Sequence, residues 1–218
     1  MNLPNKLTVI RLVMVPVFLI SFIISQKIPF LAIPAMAICL VCYVVAELTD
    51  LMDGKIARKR GLVTDLGKVM DPFADTLSHV TYFVCFLSYG IMPLWAFIII
   101  MWREYAILFV RMLLAKYAGK SMPANIFGKS KTVLYAVATI FSIVYICLMT
   151  FLPGAAEASW NGVYSIALYV LYALSALAAL MSFVIYAKDV IKSKALFRIR
   201  TAKPADFILR FVNSRFGF

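Results

Sequence analysis

An all-α integral membrane protein of six transmembrane helices, both termini cytoplasmic, is the fold class this sequence predicts, and three observations lead to it. The 218 residues are 64% hydrophobic and only 15% charged, with a mean hydropathy of +0.93. Soluble domains run nearer 45–50% apolar and about 25% charged, so this chain lacks the polar surface of a water-soluble globule. The apolar residues are gathered into long uncharged runs, 12–26, 28–46, 76–102, 132–156 and 158–187. The basic residues fall almost wholly between alternate runs. Disorder and a secreted disulfide scaffold are excluded. The formal charge of +12 first suggests orientation and anionic lipid, with no nucleic-acid partner.

A membrane-spanning helix needs about 20 apolar residues. Residues 1–26 resemble a secretory signal, Lys6 and Arg11 preceding an apolar stretch. Ser25-Gln26-Lys27 offers no small-x-small cleavage site, so a retained first span over 8–26 is expected. The second span is expected over 29–48. The run 76–102 is too long for one span and carries the turn signals Ser88-Tyr89-Gly90 and Pro93. Dividing it there predicts spans at 71–89 and 91–115, followed by 131–152 and 162–187. Of the 22 Lys and Arg, Lys27 alone lies in an outward connection, while Arg103 and Arg111 lie inside a span. The rest sit at the inner ends, which is the positive-inside pattern. Trp95 and Trp160 fall at the expected outer interface. Residues 1–187 are thus expected to form one membrane domain. Residues 188–218 form a basic tail whose Phe207, Ile208, Phe211 and Val212 recur at helical spacing, suiting a short helix on the inner leaflet.

The chemistry is concentrated between the second and third spans, where five of the ten acidic residues fall in 50–75. Asp50 and Asp53 are three apart at the end of one helix, and Asp71 and Asp75 are four apart at the start of the next. Such pairs share a helix face, so two adjacent helices can converge four carboxylates. Clustered carboxylates at a membrane boundary repel and are costly to keep ionised. A hard divalent cation, Mg²⁺ or Mn²⁺, relieves that cost through oxygen ligands. Gly54 and Gly67 allow close approach, Ala57 keeps its face low, and Arg58 offers a fork for phosphate. Metal, phosphate-binding Arg and a spare carboxylate base are the equipment of phosphoryl transfer. Helix capping explains Asp71 alone, not the whole set.

The pattern D-x2-D-G-x2-A-R-x8-G-x3-D-x3-D, from Asp50 to Asp75, is identified as the signature of the CDP-alcohol phosphatidyltransferases. The six-span layout over 1–187 resembles their bundle. The resemblance implies a membrane enzyme that displaces CMP from a CDP-linked lipid with an alcohol, in phospholipid synthesis, using two divalent ions. It implies Asp50, Asp53 and Asp71 as metal ligands and Asp75 as both base and ligand. Gly54, Ala57, Arg58 and Gly67 would line the CDP moiety. A homodimer in the inner membrane, its site facing the cytoplasm, is also implied.

A second basic set bears on the acceptor. Arg103 and Arg111 are eight residues apart, about 80° around an ideal helix, so both can face one cavity. An intramembrane Arg is a functional candidate, though Glu104 can instead pair with Arg111. Lys129 and Lys131 open the fifth span in Gly128-Lys129-Ser130-Lys131-Thr132. Together these cations suit a small phosphorylated alcohol. The run resembles the bacterial phosphatidylglycerophosphate synthases, as does Asn2…Asn5…Thr8…Arg11, and implies Arg103, Arg111, Lys129 and Lys131 as ligands of the phosphate of glycerol 3-phosphate. One departure is Thr76, where that subfamily usually has Lys. Asp75-Thr76-Leu77-Ser78 resembles the choline/ethanolamine branch, which pairs a CDP-alcohol with diacylglycerol. Inositol phosphate and serine are further acceptor alternatives. A divalent-cation transporter would also place acids in a helical bundle, but it needs neither Arg58 nor the basic set. His79, the single histidine, lies one turn after Asp75 and reads first as a packing residue, second as a substrate contact. Cys39 and Cys42 form a CxxC without further Cys or His beside them and read as small hydrophobes.

Overall fold

In a computed structural model, residues 3–60, 65–118, 126–152 and 154–192 are described. They form six α-helices and two short 3₁₀ turns, with no strand among them. The helices are α1 (Leu3–Lys27), α2 (Ala32–Arg60), α3 (Asp65–Tyr89), α4 (Leu94–Ala118), α5 (Ile126–Phe151) and α6 (Trp160–Lys192). Each expected span is therefore a helix. Windows at Lys6–Lys27, Pro29–Asp50, Lys131–Phe151 and Trp160–Lys188 are long and apolar enough to cross a membrane. The sequences of α3 and α4 are interrupted by Asp71, Asp75 and His79, and by Arg103, Glu104 and Arg111. Four such spans make this a multi-pass membrane protein.

The helices differ from the expected spans at their ends, because a helix does not stop where its apolar run stops. α2 continues through the charged Asp50–Arg60 stretch, α3 begins at Asp65, and α5 begins at Ile126. Asp71 consequently lies inside α3 and caps nothing. α6 runs on to Lys192, and the remainder of the expected tail, 193–218, lies outside the described residues. The break near 90 is where the turn signals put it. Gly90 takes φ +86°, and Gly90 N and Ile91 N donate to Leu87 O and Phe86 O at 3.0 and 3.1 Å. A glycine in the left-handed region closes helix C-termini in this way.

One core runs through the bundle. Phe18 and Phe22 of α1 meet Met36, Cys39 and Tyr43 of α2, with Tyr82, Phe83 and Phe86 of α3. Ile100 of α4, Tyr135 and Ile146 of α5, and Leu168, Tyr172, Ala176 and Ala179 of α6 complete it. Cys39, Cys42 and Cys85 are buried free thiols, in keeping with their reading as hydrophobes. The small residues of α6 let helices approach closely, as membrane interfaces do. Only 33–39% of each span window is buried, while Val13, Ile20, Ile38, Val41, Trp102, Val163 and Ile166 are exposed. That much outward apolar surface calls for lipid. α1 packs along α2 and α3, and α5 joins them from the side of α6.

Candidate active site

Four helices meet around one pocket, and each contributes residues at helical spacing. Arg11 comes from α1, Ala46, Glu47 and Asp50 from α2, and Asp75, Ser78, His79 and Tyr82 from α3. Thr132, Ala136 and Thr139 of α5 form the facing wall. The α3 set is spaced i, i+3, i+4, i+7 and the α5 set i, i+4, i+7, so each is a single stripe along its helix.

Arg11 organises the acidic side. Its side chain is only 3% exposed, and its Nη2 lies 2.6 Å from Asp50 Oδ1. Its Nη1 donates to Asp75 Oδ1. One turn earlier on α1, the fully buried Thr8 donates to Asp71 Oδ1 at 2.8 Å. Two neighbouring turns of α1 thus hold carboxylates from α2 and α3. Of the four carboxylates expected to converge, Asp50 and Asp75 meet on Arg11, and Asp71 is held one turn away by Thr8. Asp53 lies on α2 one turn from Asp50, with Gly54, Ala57 and Arg58 following, and Gly67 lies in the first turns of α3. The side-chain positions of Asp53, Ala57 and Arg58 lie outside the described residues, as do those at Gly54, Gly67 and Lys129. Among the described residues no three His, Cys, Asp or Glu side chains are gathered closely enough to hold a metal. The donor set nevertheless suits a hard cation. Asp50 and Asp75 reach one positive group from two helices with oxygen atoms alone, and both remain about half exposed, at 46% and 49%.

The basic set divides. Arg103 is buried and donates to Ser182 Oγ of α6 at 2.8 Å, with Nη1 3.0 Å from Glu104 Oε1. Lys131 pairs with the same Glu104 oxygen and stands over the Tyr135 ring at 5.0 Å. Glu104 therefore takes Arg103 and Lys131 as partners, and Arg111 lies exposed on the next turns of α4. Arg103 is thus buried in an ion-pair group while Arg111 is exposed. One carboxylate between two cations leaves the group with a surplus positive charge. This group lies behind the pocket wall, joined to it through Tyr135, whose ring meets His79 edge-on at 5.7 Å.

Sequence reasoning missed Arg11, Thr8 and Glu47. Arg11 reads in sequence among the basic residues that set orientation, and no motif singles out Glu47. His79 packs as its sequence position suggests: Nδ1 donates to Asp75 O at 2.7 Å and its ring meets Phe83 and Tyr135. It also lines the pocket. Thr76 is buried and donates to Pro72 O at 2.9 Å, so it is not among the residues lining the pocket.

The family model of the CDP-alcohol phosphatidyltransferases matches residues 1–160 of this arrangement. The chain belongs to that family. It is 37% identical over 140 residues to a CDP-diacylglycerol–glycerol-3-phosphate 3-phosphatidyltransferase of Treponema pallidum, covering 64% of this chain and 63% of that protein. Proteins of the same name from Bacillus subtilis and Rickettsia bellii are 33% and 34% identical over 141 and 133 residues. Those matches cover 60% and 61% of this chain and 70% of each relative. The chain thus spans a little under two thirds of the length of the Treponema relative.

Proposed function

We propose that this family member transfers a phosphatidyl group from CDP-diacylglycerol to glycerol 3-phosphate, releasing CMP in phospholipid synthesis. The observation that carries the reading is the meeting of Asp50 and Asp75, from two helices, on the buried Arg11 at a pocket closed by α5. Asp75 is the base: it takes the proton of the acceptor hydroxyl as that oxygen attacks the phosphorus bearing the diacylglycerol. The bond from that phosphorus to the CMP oxygen breaks and CMP departs. Asp50, Asp53 and Asp71, with Asp75, would hold Mg²⁺ or Mn²⁺, two ions in all. A bound divalent cation supplies neutralisation of the diphosphate charge. Arg58 contacts that diphosphate, with Gly54, Ala57 and Gly67 leaving room for the CDP moiety.

The acceptor phosphate is drawn by Lys129, Lys131, Arg103 and Arg111. The surplus positive charge around Glu104 supports this placing. The names of the Treponema and Bacillus relatives also support glycerol 3-phosphate over the choline-type branch. All six helices cross the inner membrane, the site and both termini are cytoplasmic, and two copies associate. Residues 1–187 form the catalytic domain.

The test is CMP release by purified protein with CDP-diacylglycerol and Mg²⁺ or Mn²⁺. The acceptors are glycerol 3-phosphate, inositol phosphate and serine, with CDP-choline plus diacylglycerol as a separate arm. Release with glycerol 3-phosphate that stops on chelation is expected. Release only in the CDP-choline arm would transfer the protein to the other branch, and no release in any arm would refute the enzyme reading.

A further inference from the structure

Two hydroxyls at the pocket break a rule their neighbours obey. In buried helices Ser and Thr commonly donate to the carbonyl one turn back. Thr76, Thr81 and Ser142 do so, at 2.9, 2.9 and 2.8 Å from Pro72 O, Leu77 O and Ala138 O. Ser78 on α3 and Thr139 on α5 do not. They are 5% and 2% exposed, their Oγ atoms have no hydrogen-bond partner among the described residues, and both line the pocket. Leaving a buried hydroxyl unpaired is costly, and unlike Ser175, whose Oγ is also unpaired, these two lie at the pocket. Beside them, His79 Nδ1 donates to the Asp75 carbonyl. In the neutral ring this leaves Nε2 as an acceptor at the pocket wall.

We propose that Ser78, Thr139 and His79 form a subsite for a second hydroxyl of the acceptor, next to the hydroxyl that Asp75 deprotonates. This deepens the transferase reading and rests on it. A hydroxyl is the group that both donates and accepts, as a subsite of two Oγ atoms and one ring nitrogen requires. An anion does not suit it, because Glu47, Asp50 and Asp75 outnumber the single Arg11 at the pocket. The acceptor phosphate therefore lies outside this subsite, on the side of the basic residues, while the neighbouring hydroxyl pair enters. A site built to bond a substrate hydroxyl rejects the analogue lacking it, because its own polar groups are then left unpaired. The subsite thus selects polyol phosphates over simple alcohol phosphates.

The experiment compares glycerol 3-phosphate with 3-hydroxypropyl phosphate, which keeps the attacking hydroxyl and the phosphate but lacks the hydroxyl between them. In wild-type protein kcat/KM should favour glycerol 3-phosphate by about tenfold or more. Thr139→Val and Ser78→Ala should each cut that ratio by about threefold or more, leaving KM for CDP-diacylglycerol within about twofold. Thr139→Ser, which keeps the hydroxyl, should restore the ratio. Equal use of the two acceptors by wild-type protein, or an unaltered ratio in both variants, would overturn the subsite while leaving the transferase reading in place. No CMP release with any acceptor would overturn both.

Discussion

Arg11 is the residue whose replacement tests the site most sharply. Its guanidinium is 3% exposed, whereas the Asp50 and Asp75 side chains it joins are 46% and 49% exposed. Two charge-assisted bonds are worth about 1.5–3 kcal/mol each when well shielded. Breaking a fully buried pair costs about 3–5 kcal/mol, but here the released carboxylates are half in water and that cost must be discounted. Arg11→Met, which keeps the packing of the stem, should therefore destabilise the protein by about 2–3 kcal/mol. For a chain of this size that lowers Tm by about 4–12 °C, measurable by thermal unfolding in detergent with EDTA present so that metal does not compensate. Arg11→Lys should fall between, since an ammonium lacks the planar fork that spans two carboxylates. A cycle with Asp50→Asn should show about 1–2 kcal/mol of coupling. Additive losses, or an Arg11→Met protein as stable as wild type, would refute the bridging role.

Asp75→Asn should abolish CMP release while CDP-diacylglycerol binding is largely kept, as a separate binding measurement would show; wild-type-like turnover would remove Asp75 from the base role. Glu104→Gln leaves the buried Arg103 and Lys131 facing one another without a counter-charge and should cost about 3–5 kcal/mol, read as a lowered Tm. Lys131→Ala should raise KM for glycerol 3-phosphate more than KM for CDP-diacylglycerol, and the reverse order would remove Lys131 from the acceptor side. Gly90→Ala meets no atom within 4 Å but must hold φ +86°, so it should cost about 1–2 kcal/mol from backbone strain alone; an unchanged Tm would show that the turn relaxes.

The helices were legible because each is built on an uncharged run, and the α3–α4 break because Gly90 supplies a conformation other residues resist. Helix ends were less so. The charged stretch Asp50–Arg60 loses its apolar signal yet stays helical, since helix geometry continues readily past the point where lipid stops. At the site, the Asp50–Asp75 spacing was visible along the chain because i,i+3 and i,i+4 pairs depend only on local geometry. The bonds from Arg11 to Asp75 and from Thr8 to Asp71 cross 64 and 63 residues. No periodicity reports them. The same holds for Glu104. Its partner in sequence pattern was Arg111, seven residues on, but the long Lys131 side chain reaches it from α5, 27 residues away.

The pocket also has an order of construction. Arg11, Glu47, Asp50, Asp75, Ser78, His79 and Tyr82 all belong to the first three helices, whereas Thr132, Ala136 and Thr139 arrive with α5. A chain emerges N-terminus first at about 5–20 residues per second, so several seconds separate the acidic side from the wall opposite it. Until α5 docks, the Ser78 hydroxyl and the His79 ring face lipid or water, with no wall opposite them. Docking of α5 is thus the assembly step that turns a cluster of charges into a chamber with a defined shape, and a chain ended before residue 126 would keep the carboxylates while lacking that side of the chamber.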